Sequence, residues 1–310
     1  MSRDLNGRVH QCGIACAWRL GSGSVCQGCL RPRCGPLWSP SEGFLWWVDI
    51  KRAKLHRFNP RTGNTRRYDL PIKASTLALY DGSILMAGDR EIGVYDPSTE
   101  AYDRLAVLAE EPKTNRTNDG GIAPDGSLWF GTMDESEKEP KGGYYKFSLD
   151  GSVDALRLPS VLITNTFQFS PDGRKFYTCD SAEQEILSFD HDLETGKLSG
   201  RKVLSDTFEL AGYPDGSAID SEGCLWTCLW DASRVIRLTP DGEIDRIIVL
   251  AATRPTSVAF GDDDLKTLFI TTARSGLSFP QLDARPLSGS LFAIRVDVPG
   301  LPPREFGKPL

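Results

Sequence analysis

The stretch Ala123 to Asp134, APDGSLWFGTMD, decides how the rest of the chain is read. Its Asp-Gly pair suits a tight hairpin turn, because glycine takes a positive φ without a Cβ clash, and the aromatic-rich run that follows has the alternation of a strand. The same pattern recurs on both sides: SPSEGFLWWVD at 39–49, LYDGSILMAGD at 79–89, SPDGRKFYTCD at 170–180, IDSEGCLWTCLWD at 219–231 and FGDDDLKTLFITTA at 260–273. Each copy leads into a further strand that ends in an acidic or Pro/Gly turn, as in IGVYDPSTE and VIRLTPDG. A unit of four strands repeating every roughly 40 to 50 residues predicts an all-β six-bladed β-propeller with four-stranded antiparallel blades. The sequence shows no 3.6-residue apolar stripe and no helix-capping box, which argues against a Rossmann or TIM-barrel fold.

Composition narrows the function. A chain of 310 residues with 40% hydrophobic and 25% charged residues can bury a sizeable core, so wholesale disorder is a poor fit. No apolar run approaches the ~18 residues that a membrane span needs. The net charge of −6 repels phosphate backbones, and no Lys/Arg-rich stretch offsets it, so neither nucleic acid nor membrane is expected as a partner. The start, MSRDLNGRVH, lacks a long apolar segment, which predicts a cytoplasmic protein with reduced thiols. Five of the eight cysteines, Cys12, Cys16, Cys26, Cys29 and Cys34, lie in the first 34 residues without a regular zinc-knuckle context. Cys179, Cys224 and Cys228 fall in apolar strands and are expected in the core.

In a propeller the loops that enter the innermost strands meet at one end of the axis, so a site should appear as polar residues at equivalent places in several blades. G-x-S-x-G, GxGxxG, Walker and HExxH motifs are missing, and His10, His56 and His191 are expected as exposed turn residues. Carboxylates and amides remain, and oxygen ligands favour calcium, magnesium or manganese, with zinc suited to an oxygen-rich catalytic site. Three segments stand just before inner strands: Asn115-Arg-Thr-Asn-Asp-Gly120, Thr164-Asn-Thr166 and Tyr213-Pro-Asp-Gly216. Their spacing predicts that Asn118, Asn165 and Asp215 face one channel mouth. Asn and Asp are ordinary turn formers, but the Pro-Asp-Gly at 214–216 precedes its strand, whereas those at 124–126, 171–173 and 240–242 follow theirs.

From about Gly35 to the C-terminus the chain resembles the SMP-30/gluconolactonase/LRE family, which includes regucalcin and bacterial sugar lactonases. The matching stretches are GPLWSPSEGFLWWVDI, RTNDGGIAPDGSLWFGTMD, ITNTFQFSPDGRKFYTCDS, GYPDGSAIDSEGCLWTCLW and RPTSVAFGDDDLKTLFITTAR. The resemblance implies a propeller that hydrolyses small sugar lactones with one divalent cation, calcium first and zinc, magnesium or manganese as alternatives; a monomer is expected. It implies Asn165 and Asp215 as metal ligands, Asp215 also as general acid/base, and Arg116 and Asn118 as substrate contacts. It also implies an acidic substrate contact just after Gly-Thr-Met, Asp134 or Glu135, with Glu135 as the candidate.

One position departs from the pattern. The family's first blade begins Gly-Glu-x-Pro-x-Trp, with the Glu a metal ligand, and the matching stretch here reads Arg33-Cys34-Gly35-Pro36-Leu37-Trp38. A thiolate at Cys34 is a soft ligand, poorly suited to calcium. The resemblance therefore also admits a regucalcin-like propeller that binds calcium or a sugar acid with little turnover. Residues 1–34 lack the alternating strand expected before this motif and are read as an atypical segment, disordered or mis-framed, with residues 35–310 as the propeller. An unprotected edge strand on the last blade is the expected consequence.

Overall fold

The computed structural model describes residues 35–310, together with the backbone of residues 33–34 and of two short strands, His10–Gln11 and Cys16–Ala17. Six antiparallel sheets follow one another along the chain. Their innermost strands are Arg33–Ser39, Ala74–Tyr80, Asn115–Ile122, Thr164–Phe169, Tyr213–Ile219 and Arg254–Gly261, and they open blades one to six in that order. Each inner strand touches the inner strand of the next blade, and that of blade six touches that of blade one, so the ring closes as the repeat predicts.

The blades are held by apolar layers between neighbouring sheets. Trp46, Tyr68 and Tyr95 fill the space between blades one and two, Trp129, Phe167 and Phe176 that between three and four, and Trp226 and Phe260 that between five and six. The second strand of each blade buries both faces, which is why aromatic residues follow the hairpin turns so regularly. Cys179, Cys224 and Cys228 are buried, as expected.

Four expectations change. Cys16–Ala17 pairs antiparallel with Phe292 and Ala293, supplying the outer strand of blade six, and His10–Gln11 adds a parallel strand to blade five beside Arg246 and Ile247. The outer edge of blade six is therefore partnered, because an edge row of N–H and C=O groups accepts any extended segment whatever its side-chain pattern. The other expectations for residues 1–34, disorder or a shifted frame, lie outside the described residues. His56 and His191 are buried rather than exposed in turns: both sit on strands, His56 stacked on Trp47 at 5.2 Å and His191 edge-on to Trp129 with Nδ1 2.7 Å from the Gly173 carbonyl. A short helix, Phe279–Ala284, also escapes the sequence reading; the Gln281 side chain accepts the Ser278 N–H at 2.9 Å to start it.

The four Pro-Asp-Gly copies do different work. Gly126, Gly173 and Gly242 have φ of +83°, +73° and +90° and make the hairpin turns. Gly216 has no positive φ; a Cβ there would lie 2.3 Å from Ser257 Oγ and 2.9 Å from the Thr256 carbonyl, so glycine lets the inner strands of blades five and six approach. Gly216→Ala is expected to destabilise the fold by about 1–3 kcal/mol through overpacking, read as a lower urea midpoint. An unchanged midpoint would show that the strands can separate freely.

Beyond blade six, the segment from Pro299 runs across the end where the hairpin turns lie. Phe306 stacks on Phe147 at 5.4 Å and its N–H donates to the Leu79 carbonyl, while Leu301–Arg304 line a cavity of about 180 Å³ at that end of the axis. The inner strands begin at the opposite end, where the candidate site lies.

Candidate active site

Every inner strand carries an irregularity near its start. The register with the second strand shifts between Cys34 and Leu37, Ala74 and Thr76, Thr117 and Gly120, Asn165 and Gln168, Pro214 and Ser217, and Pro255 and Ser257. A bulge places two residues against one and turns side chains away from the ladder. The residues that fall inside the bulges of blades three to five include Asn118 and Asp119, Thr166, and Asp215. Six bulges at one height form a collar around the axis, and the chemistry sits on that collar.

A chain of hydrogen bonds crosses three blades there. Arg116 Nη1 donates to the Thr117 carbonyl and to Asn118 Oδ1, both at 2.8 Å. Asn118 Nδ2 donates to the Thr164 carbonyl at 2.8 Å and to Asn165 Oδ1 at 3.2 Å. Asn165 Nδ2 donates to Ser181 Oγ at 2.8 Å, and the Ser181 hydroxyl donates to the Pro214 carbonyl at 2.6 Å, next to Asp215. All donors point one way round the ring, so each bond polarises the next and the amide oxygens are held in fixed directions.

Arg116, Asn118, Asn165 and Asp215 line one cavity of about 610 Å³. The fold thus brings Asn118, Asn165 and Asp215 to one mouth and places Arg116 beside them. Glu135 is not in its wall; it lies 3.5 Å from Lys73 in an ion pair, while Asp134 is buried and accepts the Ser136 hydroxyl and the Lys138 N–H. Glu137, two residues further along, does line the cavity. Cys34 pairs through its backbone with Val48, and its side chain lies outside the described residues.

Two residues were missed by sequence reasoning. Ser181 looks like an ordinary residue after a strand, yet its hydroxyl ties Asn165 to blade five. Asp119 reads as part of an Asn-Asp-Gly turn. Its carboxylate accepts the N–H groups of Gly120, Thr166 and Phe167, and burial in the channel raises its pKa to about 6. Asp215 is pushed well above the ordinary carboxylate range, first by burial and then by the charge of Asp119; the Gly216 N–H and Arg116 act in the opposite direction.

Two enclosed carboxyl groups, with Asp119 raising the cost of ionising Asp215, form the acidic part of the site. The donors around it are carboxylate and amide oxygens, the hard ligands that a divalent cation takes. Among the described residues no cluster of three or more His, Cys, Asp or Glu side chains gathers to hold a metal, so amide oxygens would have to complete the set. The residues present fit a hard cation held by Asn165 and Asp215.

A ring of six blades with an acid and amide site at one axial mouth defines a class of propeller proteins, and comparison with known proteins narrows the class. Residues 34–274 match the model of the SMP-30/gluconolactonase/LRE-like region. The chain is 35% identical over 267 residues to 6-deoxy-6-sulfogluconolactonase of Pseudomonas putida, covering 86% of this chain and 91% of that protein. It is 33% identical over 277 residues to L-arabinolactonase of Azospirillum brasilense, covering 88% and 91%. The crystal structure of a calcium-binding protein, regucalcin, from Agrobacterium tumefaciens superposes with a TM-score of 0.88 at 28% identity, over 96% of this chain and 99% of that one. This chain belongs to the SMP-30/gluconolactonase/LRE-like family.

Proposed function

We propose that the protein hydrolyses sugar lactones to aldonic acids with the help of one divalent cation held by Asn165 and Asp215. The observation that carries this reading is the meeting of Arg116, Asn118, Asn165 and Asp215 in one cavity, with Asp215 enclosed and its pKa raised. The named lactonases among its relatives support the same substrate class. Calcium is the ion proposed, on the hardness of the donors. A bound dication polarises a carbonyl and lowers the pKa of water.

Asp215 takes a proton from the attacking water as the water oxygen bonds to the lactone carbonyl carbon. It returns that proton to the ring oxygen as the carbon–oxygen bond breaks, so the carboxyl group ends as it began. Arg116 and Asn118 orient the sugar hydroxyls. The proposed place for Glu135, a substrate contact, passes to Glu137 in this reading, because Glu137 is the acidic residue of that segment in the cavity wall.

Purified protein assayed on D-glucono-1,5-lactone and L-arabinono-1,4-lactone tests the reading. Turnover that chelator removes and added cation restores is expected. Metal retained without turnover would favour a calcium- or sugar-acid-binding propeller instead, the reading that Cys34 raises; neither metal nor turnover would end both.

Ser181 gives a finer test. Ser181→Ala removes the acceptor of Asn165 Nδ2 and the donor to Pro214, so the Asn165 amide is left to the longer 3.2 Å bond from Asn118 Nδ2. Loss of such a supporting partner is expected to lower metal affinity and kcat/KM about 10- to 100-fold. Metal titration and kinetics on the folded variant check this; wild-type affinity would mean that Asn165 is oriented by other contacts.

A further inference from the structure

The reacting groups occupy one side of the mouth. Asn118 belongs to blade three, Asn165 to blade four and Asp215 to blade five, and in a ring of six the blades across from three and four are six and one. The wall there is cationic: Lys51 of blade one and Arg254, which opens the inner strand of blade six, line the same cavity. A lactone with its carbonyl at Asn165 and Asp215 extends the other end of its carbon chain toward these two residues.

The two cations are in different states. Arg254 is committed: Nε donates to Asp231 Oδ1 at 2.5 Å, Nη1 to the Ser275 carbonyl, and the guanidinium lies 4.8 Å from the Trp230 ring centre. Lys51 is exposed at the mouth, and among the described residues no carboxylate pairs with it. Its backbone is nevertheless fixed. It is the middle residue of the 3-10 turn Ile50–Arg52, anchored by buried Ile50 and capped by Asp49, which accepts the Arg52 N–H at 3.2 Å. The acidic residues in the wall, Glu137 and Asp215, belong to blades three and five, away from blade one. An ammonium carried on a fixed backbone, with no described carboxylate to pair it, selects for a ligand that brings its own counter-charge.

We infer that Lys51 is a specificity residue, selecting sugar lactones that carry a carboxylate, phosphate or sulfonate on the carbon farthest from the lactone carbonyl. This rests on the lactonase reading of the same cavity.

The test compares lactones that differ only at the terminal carbon: D-glucono-1,5-lactone, D-glucaro-1,5-lactone and the 6-phospho and 6-sulfo derivatives, on wild type, Lys51→Met and Lys51→Glu. The ratio of kcat/KM for an anionic lactone to that for gluconolactone is expected to exceed one in wild type. It should fall about fivefold to tenfold in Lys51→Met, chiefly through KM, and further in Lys51→Glu. High salt should erase the wild-type preference. Whichever anion shows the largest effect identifies the terminal group. A ratio that neither variant moves would overturn the inference. If no lactone is hydrolysed, the lactonase reading fails, and calorimetric binding of glucarate against gluconate still decides on Lys51: a preference lost in Lys51→Met supports it, and equal preferences refute it.

Discussion

Asp215→Asn is expected to abolish lactone hydrolysis, by at least about 10³-fold in kcat, and yet to raise the melting temperature of the chelator-treated protein at pH 7. The two effects share one cause. In the fold the Asp215 carboxyl is enclosed and near Asp119, so its ionised form is disfavoured and its pKa lies well above the ordinary value. An Asp whose folded pKa is raised adds no penalty below its unfolded pKa of about 3.9; the penalty grows as pH climbs from there through the folded value. At pH 7 the metal-free wild type therefore carries a cost that the neutral amide does not. Thermal unfolding in chelator should show wild type losing stability relative to the variant as the pH rises above about 4. An inactive variant that is also less stable at every pH would show that Asp215 serves packing rather than charge.

Asp220→Ala carries the largest expected stability loss, about 3–5 kcal/mol. Asp220 is fully buried in blade five and accepts four donors: the N–H groups of Glu222 and Cys224 at 3.0 Å each, Trp226 Nε1 at 2.9 Å and Arg237 Nε at 2.8 Å. Alanine leaves all four without that acceptor, and Arg237, itself buried, keeps only Glu222 at 2.6 Å and Asp245 at 2.5 Å. The blade would lose the brace of the turn that follows the strand bearing Asp215. Urea unfolding measures the loss, and Asp220→Asn, which preserves shape and one acceptor, should lose less. A cost under about 1 kcal/mol for the alanine variant would mean that water replaces the carboxylate at little expense.

The parts of the fold that were legible in the sequence are those set by local chemistry. Asp-Gly turns at 125–126 and 172–173 and the aromatic strands after them specify hairpins without help from distant residues, and repetition turns hairpins into a ring. Asn118, Asn165 and Asp215 were legible because their segments open inner strands at equivalent places, and Arg116 through the family resemblance. What stayed hidden depends on contacts between blades. Ser181 matters only because Pro214, from the next blade, lies within reach of its hydroxyl. Asp119 matters because the backbone of blade four donates to it while burial raises its pKa. The bulges that aim these side chains insert residues without a signature that a single chain displays. Glu135 was chosen by adjacency to Gly-Thr-Met, and the chain turns so that Lys73 claims it and Glu137 reaches the cavity. His56 and His191 were misplaced because an imidazole beside an aromatic ring packs like one.

Crystals grown with a calcium-like anomalous scatterer, such as manganese, provide the most direct measurement. One strong anomalous peak within bonding distance of both the Asn165 side chain and the Asp215 carboxylate is the predicted result. A channel mouth with no peak, or a metal bound away from those two residues, would contradict the account.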